Sequence, residues 1–400
     1  MERAMLRQCA GAIAGLAALV ASGCAFAQAT VKIGALLIDS GPLAGLKASQ
    51  MKAIDLAVDQ INAAGGASGR KVEPVIIAYA GTPDSAVDGA TRAVQKDGAL
   101  FITGMATSAV SPALSAKLAS LNALMVEVYA QADALTGKAC NPNYFRLNRN
   151  DTMLMNATGR FLKDKDIKSW DILAADYSAG RDAADKFKKL IGSQGGSIGK
   201  VLFAPPGTAD FGAKISELAA NPADGLYVII IGSDAINLAK QQDQFGLFKK
   251  YKLVVGNSFV APQVLPAMGD TVLGVYEALG FVPSEPGAQT EAFVRAYKDK
   301  YNGELPAYTA ADQYAAIQLM AAAVSKAGST DLPTVRAALA GLKMDTVLGP
   351  VEIRAADHQA ARPVLVSQIV VGSDGKPTYA IKHIFQGEEI LPPVDPACKM

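Results

Sequence analysis

From Thr30 onward, short apolar runs alternate with segments in which apolar residues recur every three or four positions. The short runs predict strands, and the three- or four-residue spacing predicts helices. Because the strands are apolar on both faces, they indicate parallel sheets covered by helices on both sides. The strands predicted for this first series are Val31–Ile38, Val72–Tyr79, Leu100–Thr103 and Leu124–Val128.

A second series with the same pattern begins near Asp151, and three consecutive helices follow after about Phe281. Two series of alternating strands and helices predict an α/β fold with two doubly wound lobes. The strands predicted for the second series are Ser169–Ala175, Lys200–Ala204, Leu226–Gly232 and Lys252–Gly256. The strands predicted in the tail are Val351–Arg354, Val364–Val371 and Tyr379–Phe385.

The late helical block needs a surface to pack against, and the simplest arrangement returns it to the first lobe and the tail to the second. The predicted first lobe comprises residues 28–147 and 281–346. The predicted second lobe comprises residues 148–280 and 347–400. The chain would then cross between the lobes three times, near Phe145–Asn150, Leu279–Val282 and Val347–Val351.

Residues 1–27 are typical of a secretory signal peptide. Arg3 and Arg7 form a basic start, an apolar stretch covers residues 9–20, and Ala25-Phe26-Ala27 matches a cleavage site. A membrane anchor is the first alternative, although the apolar stretch is shorter than the roughly 20 residues that span a bilayer. Lipid attachment at Cys24 is the second, although Ala21 stands where such sites usually have Leu.

Cleavage after Ala27 would leave two cysteines, Cys140 and Cys398. An exported protein meets oxidising conditions, so a disulfide that ties the tail to the middle of the chain is expected. Two independent thiols are the alternative. The disulfide is favoured because both cysteines lie in loop-like sequence rich in Pro or Asn.

The composition narrows the class of protein. Lys and Arg number 38 against 37 Asp and Glu, and half of the 400 residues are hydrophobic. A disordered chain would be poorer in apolar residues. The formal net charge is only +1, which gives no strong positive field to attract phosphates, so a nucleic-acid partner is not expected.

Catalytic and cofactor motifs are weak. His358 and His383 are the only histidines, and neither belongs to a zinc-binding or Ser-His-Asp pattern. The glycine-rich stretch at 195–200 lacks phosphate-loop spacing and precedes a strand rather than a helix. We therefore expect neither an enzyme nor a cofactor or metal.

Two loops that follow predicted strands are candidates for ligand binding, at residues 104–112 and 127–133. Parallel α/β sheets bind ligands at the carboxyl ends of their strands, where free N–H groups hold anions. Thr107 and Ser108 would donate O–H groups, and Ala130 and Gln131 would donate N–H groups, to a small carboxylate. Ordinary helix capping at Ser111-Pro112 is the alternative.

The chain resembles the Leu/Ile/Val-binding family of periplasmic receptors for ABC importers over nearly its whole length after residue 27. The family belongs to the type I periplasmic-binding-protein fold, with three crossover segments. The segments that carry the resemblance are Val31–Gly34 with Ser40-Gly41-Pro42, Ala57–Gly66, Thr107–Pro112, Asp176–Arg181 and Thr346–Val351.

The resemblance implies two lobes that close on a ligand and hand it to a membrane permease. It implies ligand contacts from both lobes and from the late helical block. The implied positions are Thr107, Ser108, Tyr129, Ala130 and Gln131 in the first lobe, Tyr177, Asp234, Ser258 and Phe259 in the second, and Tyr308 in the helical block.

One departure bears on the ligand. Amino-acid binders of this family carry an acidic residue near the position of Ser258, and an unpaired buried ammonium group is costly. Either Asp234 substitutes, or the ligand is a non-amino acid such as an aromatic acid, which we favour over a branched-chain amino acid. Asp357-His358-Gln359 with Arg362-Pro363 is similar to a branch of the family whose ligands the sequence does not fix.

The sequence therefore predicts a monomeric, non-enzymatic receptor in the periplasm that delivers a small carboxylate to an ABC-transporter permease. A ligand-sensing regulator of the same fold is one rival, but the signal peptide opposes it. A secreted hydrolase is the second rival, and it would need a nucleophile with a base.

Overall fold

The computed structural model describes residues 30–41 and 43–400. The predicted signal peptide and Cys24 lie outside the described residues. Within these limits, no helix combines the length and apolar character that a membrane crossing requires.

The described chain forms strands and helices in the alternating order that the pattern predicts. The strands are β1 (Val31–Ile38), β2 (Val72–Tyr79), β3 (Phe101–Gly104), β4 (Leu124–Glu127), β5 (Tyr144–Arg146), β6 (Ser169–Ala175), β7 (Ser197–Ala204), β8 (Gly225–Ile229), β9 (Leu253–Gly256), β10 (Tyr276–Leu279), β11 (Lys343–Thr346), β12 (Gly349–Ile353), β13 (Ala360–Ala361), β14 (Val364–Val371) and β15 (Pro377–Phe385). The helices are α1 (Lys47–Ala63), α2 (Pro83–Gln95), α3 (Ser111–Leu121), α4 (Asp151–Lys163), α5 (Ser178–Ser193), α6 (Gly212–Ala220), α7 (Gly232–Phe245), α8 (Leu265–Met268), α9 (Ala288–Lys300), α10 (Tyr308–Ala327), α11 (Leu332–Leu339) and α12 (Gly387–Ile390).

The first lobe is built on a five-stranded sheet in the order β2-β1-β3-β4-β5. All four pairings are parallel, as the continuous apolar runs predict. Apolar side chains fill the space on both faces of the sheet. Helices α1, α10 and α11 cover one face, and α2 and α3 cover the other.

The second lobe repeats this arrangement. Its seven-stranded sheet has the order β15-β14-β10-β9-β8-β6-β7. The pairings from β7 to β10 are parallel, whereas β14 and β15 are antiparallel additions at one edge. In both lobes the strand order reverses next to the first strand, between β1 and β3 and between β6 and β8. This arrangement confirms the predicted α/β class with two doubly wound lobes. Ligands of doubly wound sheets bind at such a reversal point.

The lobes are joined where the chain leaves one sheet for the other, after β5, after β10 and before β14. The third crossing differs from the prediction of residues 347–351. Val351, Ile353 and Ala360 are buried in the apolar core of the first lobe, because β11, β12 and β13 form a small antiparallel sheet beside it. The first lobe therefore extends beyond the predicted limit at residue 346.

Cys140 and Cys398 form a disulfide whose Cα atoms are 5.5 Å apart. The predicted pairing is confirmed. Cys140 precedes β5 of the first lobe, so the bond fixes the end of the chain to that lobe. The neighbouring tail residue Asp395 also packs against Gly137 of the first lobe.

Candidate functional site

The β3–α3 loop turns away from the sheet at Gly104, whose φ is +122°. A side chain there would collide with β1, since an added Cβ would lie 2.4 Å from the carbonyl oxygen of Leu36. The loop then runs along the carboxyl edge of the sheet. It brings Thr107 to a half-buried position and Ser108 to an exposed one.

Ser108 links the two predicted binding loops. Its Oγ accepts the backbone N–H groups of Gln131 and Ala132, each at 3.2 Å. The Ser108 O–H remains available as a donor, and acceptance of two N–H groups polarises it further. The Gln131 N–H, which was predicted to contact a ligand, donates to Ser108, and its contact with a ligand stays a prediction.

A carboxylate of the protein itself occupies the amide pocket predicted for the ligand. Glu127 is fully buried at the end of β4. Its Oε2 accepts the O–H of Ser111 at 2.9 Å. Its Oε1 accepts four backbone N–H groups at 2.7 to 3.3 Å, from Ala106, Val128, Tyr129 and Ala130. The Ala130 N–H that was predicted to bind a ligand therefore donates to Glu127 instead, and its contact with a ligand stays a prediction.

In the second lobe, too, a buried carboxyl group accepts the N–H groups of a loop. Glu277 of β10 is fully buried and accepts the N–H groups of Ser258 and Val260, the second at 3.0 Å. Ser258 has a φ of +60°, so the turn after β9 folds back onto this carboxylate. Phe259 points into the apolar core, where it packs against Phe248 and is fully buried. This packing speaks against the predicted contact of Phe259 with a ligand, which stays a prediction.

Burial raises the pKa of Glu127 and of Glu277, each from 4.5 to about 7. The surrounding N–H groups lower both values, but by less than burial raises them. These two carboxyl groups shape the loops at the carboxyl edges of the two sheets. Neither was predicted, although a lone Glu that ends the apolar stretch of β4 was a visible signal.

Three predicted tyrosines lie on elements at the junction of the lobes. Burial raises the pKa of Tyr129, Tyr177 and Tyr308, and Tyr129 acts electrostatically on the other two. Helix α5, which follows Tyr177, reaches the loop of Tyr129 through the ion pair between Lys186 and Asp133 at 2.8 Å. Each of the three is half-buried, so their rings can enclose an apolar or aromatic group.

The β8–α7 turn supplies one further contact surface. Asp234 accepts the N–H of Gly207 at 2.8 Å, so part of its hydrogen-bonding capacity is used. Ile231 remains 43% exposed at the carboxyl edge of the sheet. Ile231 was not predicted to lie in the site, because the apolar run that contains it is typical of a buried strand.

The segment Asp357-His358-Gln359 has a structural role at the first crossing. Gln359 accepts the Nε–H of Arg146 at 2.6 Å, and the His358 ring stacks on Phe145 at 3.8 Å. His383 lies on β15 and is exposed. Among residues 30–41 and 43–400, no group of His, Cys, Asp and Glu side chains could hold a metal ion.

Two doubly wound lobes whose binding edges meet at a shared group of tyrosines define a two-lobed α/β binding protein. A family model for periplasmic binding proteins matches residues 30–376, and the chain belongs to this family. The family is one of periplasmic, non-enzymatic receptors.

A protein named Leu/Ile/Val-binding protein homolog 4, from Brucella abortus (strain 2308), is 27% identical over 408 residues, with 96% of each chain covered. A leucine-, isoleucine-, valine-, threonine- and alanine-binding protein from Brucella ovis, in a closed conformation, has a TM-score of 0.82 at 23% identity; 93% of this chain and 99% of that chain are covered. A solute-binding protein of an ABC transporter from Rhodopseudomonas palustris BisB5, in complex with 3,4-dihydroxybenzoic acid, has a TM-score of 0.80 at 23% identity; 90% of this chain and 98% of that chain are covered.

The chain is therefore a substrate-binding protein of an ABC transporter, which binds a small molecule and delivers it to a permease. This assignment favours the importer receptor over both rival functions of the sequence analysis.

Proposed function

We propose that the chain captures a small organic carboxylate between its two lobes and delivers it, unchanged, to the permease. The observation that carries this proposal is the approach of α5, which follows Tyr177, to the loop of Tyr129, where Lys186 and Asp133 form an ion pair at 2.8 Å. Residues on both sides of the cleft can then contact one ligand. A ligand that touches both lobes favours the closed state through its differential affinity.

The hydroxyl groups of Thr107 and Ser108 offer donors to the ligand. The Thr107 carbonyl is held by the N–H groups of Val110 and Ser111, which fixes the loop while the side-chain hydroxyl remains free to donate. Hydrogen bonds to an anion contribute roughly 1.5–3 kcal/mol each. We therefore place Thr107 and Ser108, rather than the amides of Ala130 and Gln131, in the first-lobe part of the site.

A non-amino acid, such as an aromatic acid, fits the second lobe better than a branched-chain amino acid does. An ammonium group needs an acidic partner, but Glu277 is engaged by the loop at 258–260 and Asp234 already accepts the Gly207 N–H. Both acids without an amino group and amino acids occur among the similar structures: one has a bound 3,4-dihydroxybenzoic acid, and one is named for leucine, isoleucine, valine, threonine and alanine. Asp234 is the residue that would hold an ammonium group.

Residues 1–27 would be removed on export, and the mature chain would act as a monomer. The cleft would open and close about the three crossings, with residues 28–147 and 148–280 forming the larger parts of the two lobes.

The test begins with native mass spectrometry of the purified chain to detect a co-purified acid. A thermal-shift screen of benzoate, hydroxybenzoates, leucine and valine follows, and calorimetry then measures affinity. Thr107→Ala with Ser108→Ala should weaken acid binding at least about tenfold. The control Ser120→Ala, which changes an exposed serine of α3, should not. If none of these acids binds, or if the double variant binds as tightly as the native chain, the proposed site is wrong.

A further inference from the structure

Arg149 stands at the first crossing between the lobes, three residues after β5, and only 5% of it is exposed. A guanidinium group carries five N–H donors. Here Nη1 makes one long hydrogen bond of 3.4 Å to Asn148 Oδ1, and Nε has no partner in the described part of the chain. None of the ion pairs formed by the described residues includes Arg149.

The neighbouring charges do not neutralise Arg149. The buried Asp312 acts electrostatically on Arg149, but it forms an ion pair with Arg362 at 2.5 Å. Arg362 itself lies beside Arg149 and adds positive charge. Glu277 is close enough to act on Arg149 through space, but its oxygens accept the N–H groups of the loop at 258–260. A buried cation without a partner is costly, so a missing anion is expected here.

The surroundings of Arg149 connect it to the group of tyrosines. Asn148 accepts the hydrogen bond of Arg149 with its Oδ1, and its Nδ2–H donates to the carbonyl of Tyr129 at 2.7 Å. Tyr308 is also among the groups that act electrostatically on Arg149. Gly280 at the second crossing makes room for the guanidinium groups. A Cβ at that position would lie 2.6 Å from Arg149 Nη1 and 2.8 Å from Arg362 Nη2.

We infer that Arg149 binds the carboxylate group of the transported solute. This inference deepens the proposed function and rests on it. A planar guanidinium group matches a carboxylate with two parallel hydrogen bonds. The tyrosines then contact the body of the solute. The cation at the crossing explains how the chain selects acids although its amide pockets are filled by Glu127 and Glu277.

The test compares an acid with its neutral isostere, benzoate with benzamide and leucine with leucinamide, by calorimetry on the full chain. Arg149→Met removes the charge and keeps a side chain of similar reach. It should weaken acid binding by at least about 30-fold and remove the preference for acid over amide. Arg149→Lys should restore part of that preference. The matched control Arg160→Met, on the exposed face of α4, should bind as the native chain does.

Thermal unfolding distinguishes a ligand-binding role from a structural one. A ligand-binding Arg149 predicts that the ligand-free Arg149→Met chain melts at or above the native temperature, because an unpaired buried cation has been removed. A lower melting temperature with unchanged acid affinity would show a structural cation and overturn the inference. If Arg149→Met does not fold, Gly280→Ala provides a second test: it keeps the charge, displaces the guanidinium group and should lower acid affinity but not amide affinity.

Acid binding by the native chain and the role of Arg149 in it are tested by different results. If the native chain binds neither acid, the proposed function fails. If the native chain binds an acid with the same affinity as Arg149→Met, the proposed function stands and the role of Arg149 is refuted.

Discussion

Glu127 allows a direct test of whether burial or hydrogen bonding has the larger effect on the pKa of a carboxyl group at the carboxyl edge of the sheet. The group is fully buried and accepts four backbone N–H groups and one O–H. Burial favours the protonated form, and the donors favour the ionised form. In this structure burial dominates, and the pKa of Glu127 rises from 4.5 to about 7.

The sign of the pH dependence follows from this direction. The pKa of Glu127 is higher in the folded chain than in the unfolded chain. The protonated Glu127 therefore contributes its full stability below pH 4.5, and this contribution is lost as the pH rises through about 7. The rise from 4.5 to about 7 corresponds to roughly 3 kcal/mol of unfolding free energy. Burial raises the pKa of Glu277 and Glu285 to about 7 as well, so the native chain alone would not isolate Glu127.

The measurement is urea unfolding of the native chain and of Glu127→Gln at several pH values from 4.5 to 8. The stability of the native chain relative to the variant should fall by roughly 3 kcal/mol across this interval. Glu73→Gln, at an exposed position of β2, controls for the substitution itself. A relative stability that rises with pH would show that the five donors outweigh burial and would refute the reasoning.

Three further predictions concern the disulfide, the core and the contact between lobes. Cys398→Ser should lower the unfolding free energy by up to about 5 kcal/mol, because the bond closes a loop of 258 residues; a reductant that leaves the native midpoint in urea unchanged would contradict this. Phe259→Ala should cost about 3–5 kcal/mol in urea unfolding and leave the acid affinity of the folded chain unchanged; weaker binding at native stability would return Phe259 to the pocket. Lys186 of α5 contacts Asp133 of the first lobe at 2.8 Å and Asp151 at 3.0 Å. Since these partly exposed pairs contribute less than about 1 kcal/mol, Lys186→Met should weaken acid binding by less than about fivefold in calorimetry, and a larger loss would assign Lys186 to the site itself.

The sequence pattern predicted long apolar strands well and short polar ones poorly. Val31–Ile38 and Ser169–Ala175 have the predicted bounds, because each is long and mostly apolar and is therefore buried between helices. The short strands Tyr144–Arg146 and Tyr276–Leu279 were not predicted. Each has a buried charged residue, Arg146 or Glu277, whose burial depends on partners that are distant in sequence.

The site was predicted in its position but not in its chemistry. The loops at Thr107 and Ser108 lie at the carboxyl edge of the sheet, as strand–helix alternation requires. The sequence did not indicate that Glu127 accepts the N–H groups predicted for the ligand. Those hydrogen bonds depend on how the loops at 104–112 and 127–133 turn after their strands, and the pattern of residues does not give this direction. Phe259 follows a strand as ligand-binding residues do, yet the turn at Ser258 directs its side chain into the core.

The most direct test of the central claim is a crystal structure of the chain with the acid that calorimetry selects. We expect the acid to be enclosed between Tyr129 and Tyr308 on one side and Tyr177 on the other, with its carboxylate oxygens within about 3 Å of the Arg149 guanidinium group. An acid bound outside this cleft, or in contact with only one lobe, would contradict the account.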